Sequence, residues 1–191
     1  MKKKIHYAFV LDQSGSMFEI KDVVISNFNE QVEWIGELKK GKPGTQIKVT
    51  FCIFNDAAEF RFIAQDVDQI DKLTCSGYHP NSCTALYDAL GITILKMTEI
   101  SNPEDEVFLA VFTDGLENAS SIYTASDINY KLHEAREKGW SIRFFCRYED
   151  MPFYKNNIGI DEEEIIEAPA SEEGFNKMKE TVLMKLNDFL D

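Results

Sequence analysis

The sequence predicts an α/β fold: a doubly wound, mostly parallel sheet of about six strands, with helices on both faces and one antiparallel edge strand. Three observations predict it. Short runs at residues 5–11, 46–54 and 107–112 are rich in Val, Ile, Leu and Phe with few polar interruptions, the pattern of strands buried on both faces. Between such runs lie longer segments whose apolar residues recur every three or four positions, as on one face of a helix. The two kinds alternate along the chain, and alternation gives a parallel sheet wrapped by helices.

The elements follow in order. After the strand at 5–11, Ile20, Val24, Phe28, Val32, Ile35 and Leu38 mark a long helix, which Gly41, Pro43 and Gly44 end. The strand at 46–54 meets a turn at Asn55-Asp56, and residues 59–63 return beside it as a hairpin partner. Residues 66–73 are read as a short helix and 74–83 as a polar loop. Leu86, Leu90, Ile94 and Met97 share one side of a helix over 85–100. The strand at 107–112 runs into Thr113-Asp114-Gly115, then into a Ser- and Asn-rich loop. A helix over 127–138 closes at Gly139, a residue suited to a left-handed cap. Strands are expected at 140–146 and 164–168, with irregular chain between them and a turn of helix near Phe153. An amphipathic helix over 171–190 comes last.

Length and charge bound the function. The 191 residues suit a single domain, residues 1–191. Thirty-three Asp and Glu against twenty Lys and Arg leave a net charge of −13. That balance argues against nucleic acid and against an anionic membrane surface, both of which attract clustered bases. It suits cations or basic protein patches. No apolar run approaches the roughly 20 residues a membrane span needs. The opening Met1-Lys2-Lys3-Lys4 followed by an apolar stretch resembles an export signal, but His6 and Asp12 interrupt it and no small-residue cleavage site follows. The four cysteines, Cys52, Cys75, Cys83 and Cys146, are therefore read as free thiols in a cytoplasmic protein.

Open α/β sheets bind ligands at the carboxyl ends of their strands. The first strand ends in Asp12-Gln13-Ser14-Gly15-Ser16, where alternate positions carry oxygen. Thr84 stands where the 74–83 loop enters a helix, and Asp114 follows the strand at 107–112. Brought together, Asp12, Ser14, Ser16, Thr84 and Asp114 offer three hydroxyls and two carboxylates, the hard oxygen donors that magnesium prefers. Their two negative charges match one divalent cation and leave a coordination position for water or an outside ligand. Each residue alone could instead be a helix cap.

Asp12-Gln13-Ser14-Gly15-Ser16 resembles the D-x-S-x-S signature of von Willebrand factor A (vWA) domains. Thr84, in Cys83-Thr84-Ala85-Leu86, resembles that family's threonine segment, and Thr113-Asp114-Gly115 its T-D-G. The motifs occur in the family's order and span most of the chain. The resemblance implies a Rossmann-like vWA fold of the small stand-alone bacterial or phage type, with an intact metal-ion-dependent adhesion site (MIDAS). It implies Ser14, Ser16 and Thr84 as hydroxyl ligands, with Asp12 and Asp114 acting directly or through water. The ion would be Mg2+, with Mn2+ or Ca2+ as substitutes. A Glu or Asp of a protein partner would complete the sphere, and relatives often work beside an ATPase or in a multiprotein complex. The resemblance implies a binding module and not an enzyme. Met17, Tyr78, Leu116 and Glu117 are expected to rim the contact. The alternative is a Mg2+-dependent phosphohydrolase or phosphotransferase at the same strand ends, against which Ser14 stands where a second carboxylate is expected.

Other signals are weaker. Gly36 to Pro43 nearly spells a phosphate-binding loop, but Pro43 replaces its Ser or Thr and the order of helix and strand is reversed. Asp12, Ser14 and Ser16 also match the start of an EF-hand, which Met17 and Val23 then break. Cys75, His79 and Cys83 are evenly spaced but lack a fourth zinc ligand. Asn118-Ala119-Ser120 is a glycosylation sequon without meaning in a cytoplasmic chain. His133 is expected on a helix surface and 161–164 in a solvated acidic loop. No Ser–His–acid arrangement is visible.

Overall fold

The computed structural model describes residues 3–190. Strands β1 (Lys4–Asp12), β2 (Gln46–Phe54), β3 (Ala58–Asp66), β4 (Glu106–Phe112), β5 (Ser141–Cys146) and β6 (Ile165–Glu167) form one sheet in the order β3-β2-β1-β4-β5-β6. Only β3 is antiparallel, joined to β2 by a hairpin. Helices α1 (Lys21–Lys40), α2 (Leu86–Ile100), α3 (Ala125–Glu137), α4 (Met151–Ile158) and α5 (Glu172–Asp188) complete the fold. Strand order reverses between β1 and β4, and at such a switch point the chain leaves adjacent strands toward opposite faces, opening a crevice at their carboxyl ends.

The sheet is covered on both sides, which explains why its central strands read as continuous apolar runs. Ile5, Tyr7, Phe9 and Leu11 of β1 face α1 and α5, where Val24, Phe28, Ile35, Met178 and Val182 are buried. Ala8 and Val10 face the other way, toward Leu90 and Ile94 of α2 and Leu132 of α3. Aromatic rings carry much of the first layer: Phe28 stacks on Phe51 with centroids 4.5 Å apart, and Phe175 on Phe112 at 4.1 Å. Among the described residues no helix is long and apolar enough to cross a membrane.

Two segments differ from the sequence reading. Residues 66–73 hold only a single 3-10 turn, Val67–Gln69. The Asp66 side chain accepts from the Asp68 N–H at 3.3 Å, an Asx turn that competes with helix, and Ile70 is already extended. The stretch expected to be irregular contains a full helix, α4. Its signals were Pro152 in the first turn and Gly159 past the end in the left-handed region, φ +67°. Eight residues bury only Tyr154 and Ile158, too few to display a period. His133 is exposed on α3, and Gly139 takes φ +79° as its capping place requires.

The start of α5 is tightly seated. The Ser171 Oγ accepts from the Gly174 N–H at 3.2 Å, and a Cβ on Gly174 would stand 1.9 Å from the Pro169 carbonyl oxygen. A backbone oxygen cannot rotate aside, so any side chain here pushes α5, and Phe175 with it, off Phe112. Gly174→Ala is expected to lower unfolding free energy by about 2 kcal/mol, within the usual range for overpacking. Urea denaturation against the parent chain measures it.

Candidate metal centre

The five oxygen-bearing residues lie at the switch point. Asp12 is the last residue of β1, paired with Phe54 of β2, and Thr113-Asp114 follows β4 directly. The Asp12 carboxylate is fully buried. Its Oδ1 accepts from the Ser14 N–H and its Oδ2 from the Thr113 hydroxyl, each at 2.6 Å. The Ser14 and Ser16 hydroxyls are 3.0 Å apart, and the Ser16 Oγ donates to Asp114 Oδ1 at 2.6 Å. Asp12, Ser14, Ser16 and Asp114 thus form one connected cluster. It runs from the buried floor at Asp12 to an exposed mouth at Ser16.

Thr84 reaches the group from a third loop. It is buried, and its Oγ1 lies against Gly115, where a Cβ would stand 3.4 Å from it. Among the described residues its hydroxyl makes no hydrogen bond to the other four. Its backbone is fixed instead, with the Thr84 N–H donating to Asn118 Oδ1 at 2.8 Å and its carbonyl accepting from the Asn118 N–H at 3.0 Å.

These loops are held from several sides. The Tyr78 hydroxyl donates to the Asp12 carbonyl at 2.6 Å. The Asn81 N–H donates to the Gln13 carbonyl at 3.0 Å and the Gly15 N–H to the Ser82 carbonyl at 3.2 Å. Ser82 sits at φ +64°, a conformation costly for a residue with a Cβ. On the far side, the Tyr154 hydroxyl of α4 donates to the Gly115 carbonyl.

None of the five is a helix cap. Ser14 precedes the 3-10 turn Gly15–Ile20 without a side-chain capping bond, and the N-terminal neighbours of α1 and α2 are Ile20 and Ala85, which have none to give. Glu117 and Ser120 serve α2 in their place, accepting from the Tyr87 and Asp88 N–H groups at 2.9 and 3.0 Å.

The expected rim is corrected in part. Met17 and Tyr78 are fully buried, since Met17 joins the core and Tyr78 spends its hydroxyl on the Asp12 carbonyl. Glu117 is committed to the backbone of its own loop and of α2. Leu116 is exposed. Thr113 and Asn118, which position the group, escaped the sequence reading as working residues, although Thr113 stands in the quoted T-D-G. Among the described residues no three or more His, Cys, Asp or Glu side chains cluster as a metal site, so Cys75, His79 and Cys83 do not gather. The convergent group is of another kind, two carboxylates among three hydroxyls.

Burial shapes its electrostatics. Desolvation pushes the Asp12 carboxyl up to about 6, against the opposing hydrogen bonds from Ser14 and Thr113. Desolvation also raises Asp114, while the Ser16 hydrogen bond and the nearby Arg147 charge pull it down. Two acids are therefore held in a place that disfavours their charge.

No family model matches the chain, and no curated protein matches it. Solved structures do. The vWF domain of the type V pili tip protein Mfa5 from Porphyromonas gingivalis superimposes with a TM-score of 0.72 at 12% identity, covering 100% of this chain and 97% of that one. The chain has a vWA-like fold. The PilB minor pilin from Streptococcus sanguinis gives a TM-score of 0.68 at 13% identity over 100% of this chain and 63% of that one. Proximal thread matrix protein 1 from the mussel byssus, described with a zinc-occupied MIDAS motif, gives 0.63 at 18% identity over 97% of this chain and 46% of that one. The chain thus spans less than two thirds of the latter two proteins.

A pH prediction follows for the chain kept free of divalent ions. The folded state raises the Asp12 pKa from 3.8 to about 6, so it favours the protonated acid. This contribution is complete below about pH 4 and is lost as pH rises through about 6, leaving a cost of about 3 kcal/mol at neutral pH. Asp12→Asn keeps an acceptor for the Ser14 N–H, and Thr113 can turn its proton to the Gly115 carbonyl, 3.0 Å away. With chelator present, the variant is expected to be more stable than the parent chain at pH 7.5 and equal to it near pH 4, by urea denaturation.

Proposed function

We propose that this chain is a protein-interaction module that binds one divalent cation, Mg2+, through Asp12, Ser14, Ser16, Thr84 and Asp114. The observation that carries the reading is the cluster at the β1–β4 switch point: two buried carboxylates with raised pKa values, linked through the Ser14 N–H and the Ser14 and Ser16 hydroxyls. The donor set fits a hard ion, because every group is an oxygen and no thiol or imidazole belongs to it. A divalent cation would supply the charge that offsets two desolvated carboxylates, together with an electrophilic position for an acidic side chain of a partner. Mn2+ or Ca2+ can serve in its place.

This chain's residues divide the work. Asp12 sets the negative floor, and Thr113 and the Ser14 N–H fix both of its oxygens. Ser14, Ser16 and Thr84 add donors without adding charge, which leaves the ion attractive to an outside carboxylate. Ser16 and Leu116 stand at the mouth, where a partner arrives. We read the module as cytoplasmic, in keeping with four free thiols of which Cys52 and Cys146 are buried. The vWA-like fold of pilus proteins supports a binding role over a catalytic one. The phosphohydrolase alternative lacks support at the cluster: Ser14 stands where a second carboxylate is expected, and no histidine belongs to the group, the His79 Nε2 being hydrogen-bonded to the Ser76 carbonyl.

Magnesium at about 100 times its dissociation constant is expected to add about 2.7 kcal/mol, or roughly 5–10 °C in Tm for a chain of this size. Asp12→Ala and Ser14→Ala should abolish that shift in differential scanning fluorimetry, while Asn176→Ala on α5 should keep it. An equal shift in Asp12→Ala overturns the reading. Magnesium-dependent release of phosphate from a panel of phosphorylated substrates, lost in Asp12→Ala, would favour the alternative.

A further inference from the structure

Three exposed apolar side chains stand at the same end of the sheet as the cluster, each on a different loop. Phe18, 64% exposed, follows the Asp12–Ser16 loop of β1; Leu116, 40% exposed, follows Asp114; Tyr148, 70% exposed, follows β5. Arg147 lies among them. Phe112 and Phe145 are register partners and the Thr113 N–H donates to the Phe145 carbonyl at 3.1 Å, so Asp114 and Arg147 emerge side by side from neighbouring strands. The Arg147 Nε donates to Asp150 Oδ2 at 2.8 Å, and Asp150 is itself buried. That bond, with an ion pair from the same Nε to Glu149 Oε1 at 3.6 Å, holds the guanidinium on one edge. Among the described residues its two terminal nitrogens make no hydrogen bond, and the side chain is 41% exposed. The Arg147 charge also pulls the Asp114 carboxyl down, against the burial that raises it.

A guanidinium held by one edge presents its remaining N–H groups as a fork, and a fork of that shape suits a carboxylate. Glu149, Asp150 and Asp114 surround the Arg147 charge, and what it offers an incoming acid is the pair of terminal nitrogens that those carboxylates leave without a hydrogen bond. We infer that the partner segment carries two carboxylates, one for the cation position and a second for Arg147, flanked by apolar residues that settle on Phe18, Leu116 and Tyr148. Arg147 is then a specificity-determining residue. The inference rests on the metal-dependent reading above and adds the partner's chemistry to it.

The probes are acetylated, amidated peptides with two glutamates separated by zero, one or two glycines between leucines, each with its two single Glu→Gln counterparts. Binding is measured by isothermal titration calorimetry in magnesium and in chelator. In magnesium, one diacidic peptide should bind the parent chain at least about tenfold tighter than its monoacidic counterparts, the order expected for one charge-assisted pair. Arg147→Gln should remove that preference while keeping the magnesium-induced Tm shift. Arg147→Lys, which keeps a charge beside Asp150 but loses the fork, should retain part of it. A diacidic preference unchanged in Arg147→Gln overturns the inference. So does a magnesium-stabilised parent chain that binds no peptide of the series or shows no preference, and these results leave the metal reading standing. A parent chain that magnesium does not stabilise overturns both.

Discussion

A carboxylate buried at the end of the central strand is the constraint from which the candidate site follows. Asp12 lies where water cannot reach it, so each of its oxygens needs a partner from the chain. Ser14 supplies a backbone N–H from the loop that leaves β1, and Thr113 a hydroxyl from the end of β4. Those two bonds bring the β1 and β4 loops together, and Asp114 and Ser16 meet as a consequence. Hydrogen bonds satisfy the lone pairs but leave the charge, and a second raised carboxylate at Asp114 adds to it. An arrangement that concentrates negative charge away from solvent carries a cost that a bound cation would relieve.

The fold makes this arrangement affordable. The reversal of strand order between β1 and β4 places two loop-bearing strand ends side by side, and helices on both faces keep those ends from moving. Phe175 on Phe112 braces β4 from one face, while Leu86 and Leu90 of α2 belong to the core on the other. The large apolar groove between α1 and α5, about 660 Å3 and lined by Trp34, Leu38, Leu183 and Leu190, lies at the opposite end of the sheet. Its chemistry is unrelated to the cluster, since it lacks the buried carboxylates.

Much of this was legible in the residues. The central strands announced themselves because burial on both faces demands uninterrupted apolar runs, and the alternation of 5–11, 46–54 and 107–112 with helical periods fixed their parallel direction. The D-x-S-x-S stretch, Thr84 and T-D-G were readable because each follows a strand or opens a helix at the end where ligands gather. Less legible was everything whose partner is distant in sequence. Nothing near Tyr78 shows that its hydroxyl will meet the Asp12 carbonyl, 66 positions away, or that burial will take it from the rim. Asn118 looked like part of a sequon and is a clasp for the Thr84 backbone. Helix α4 was hidden by its length: over eight residues a Pro near the start and a Gly past the end are the whole signal. The Asp66 segment failed the other way, because a side chain that bonds its own backbone outcompetes a weak helical pattern.

The bond from Tyr154 to the Gly115 carbonyl gives this surface a mechanical property. Gly115 is the residue next to Asp114, and Tyr154 is a fully buried ring in the middle of α4. A displacement of the T-D-G loop must therefore either break that bond or drag a rigid rod, whose far end turns at Gly159 before β6 begins. The phenol is also a core ring, 4.6 Å from Phe144 of β5, so the loop that carries Asp114 is anchored to the sheet at a second point besides the end of β4.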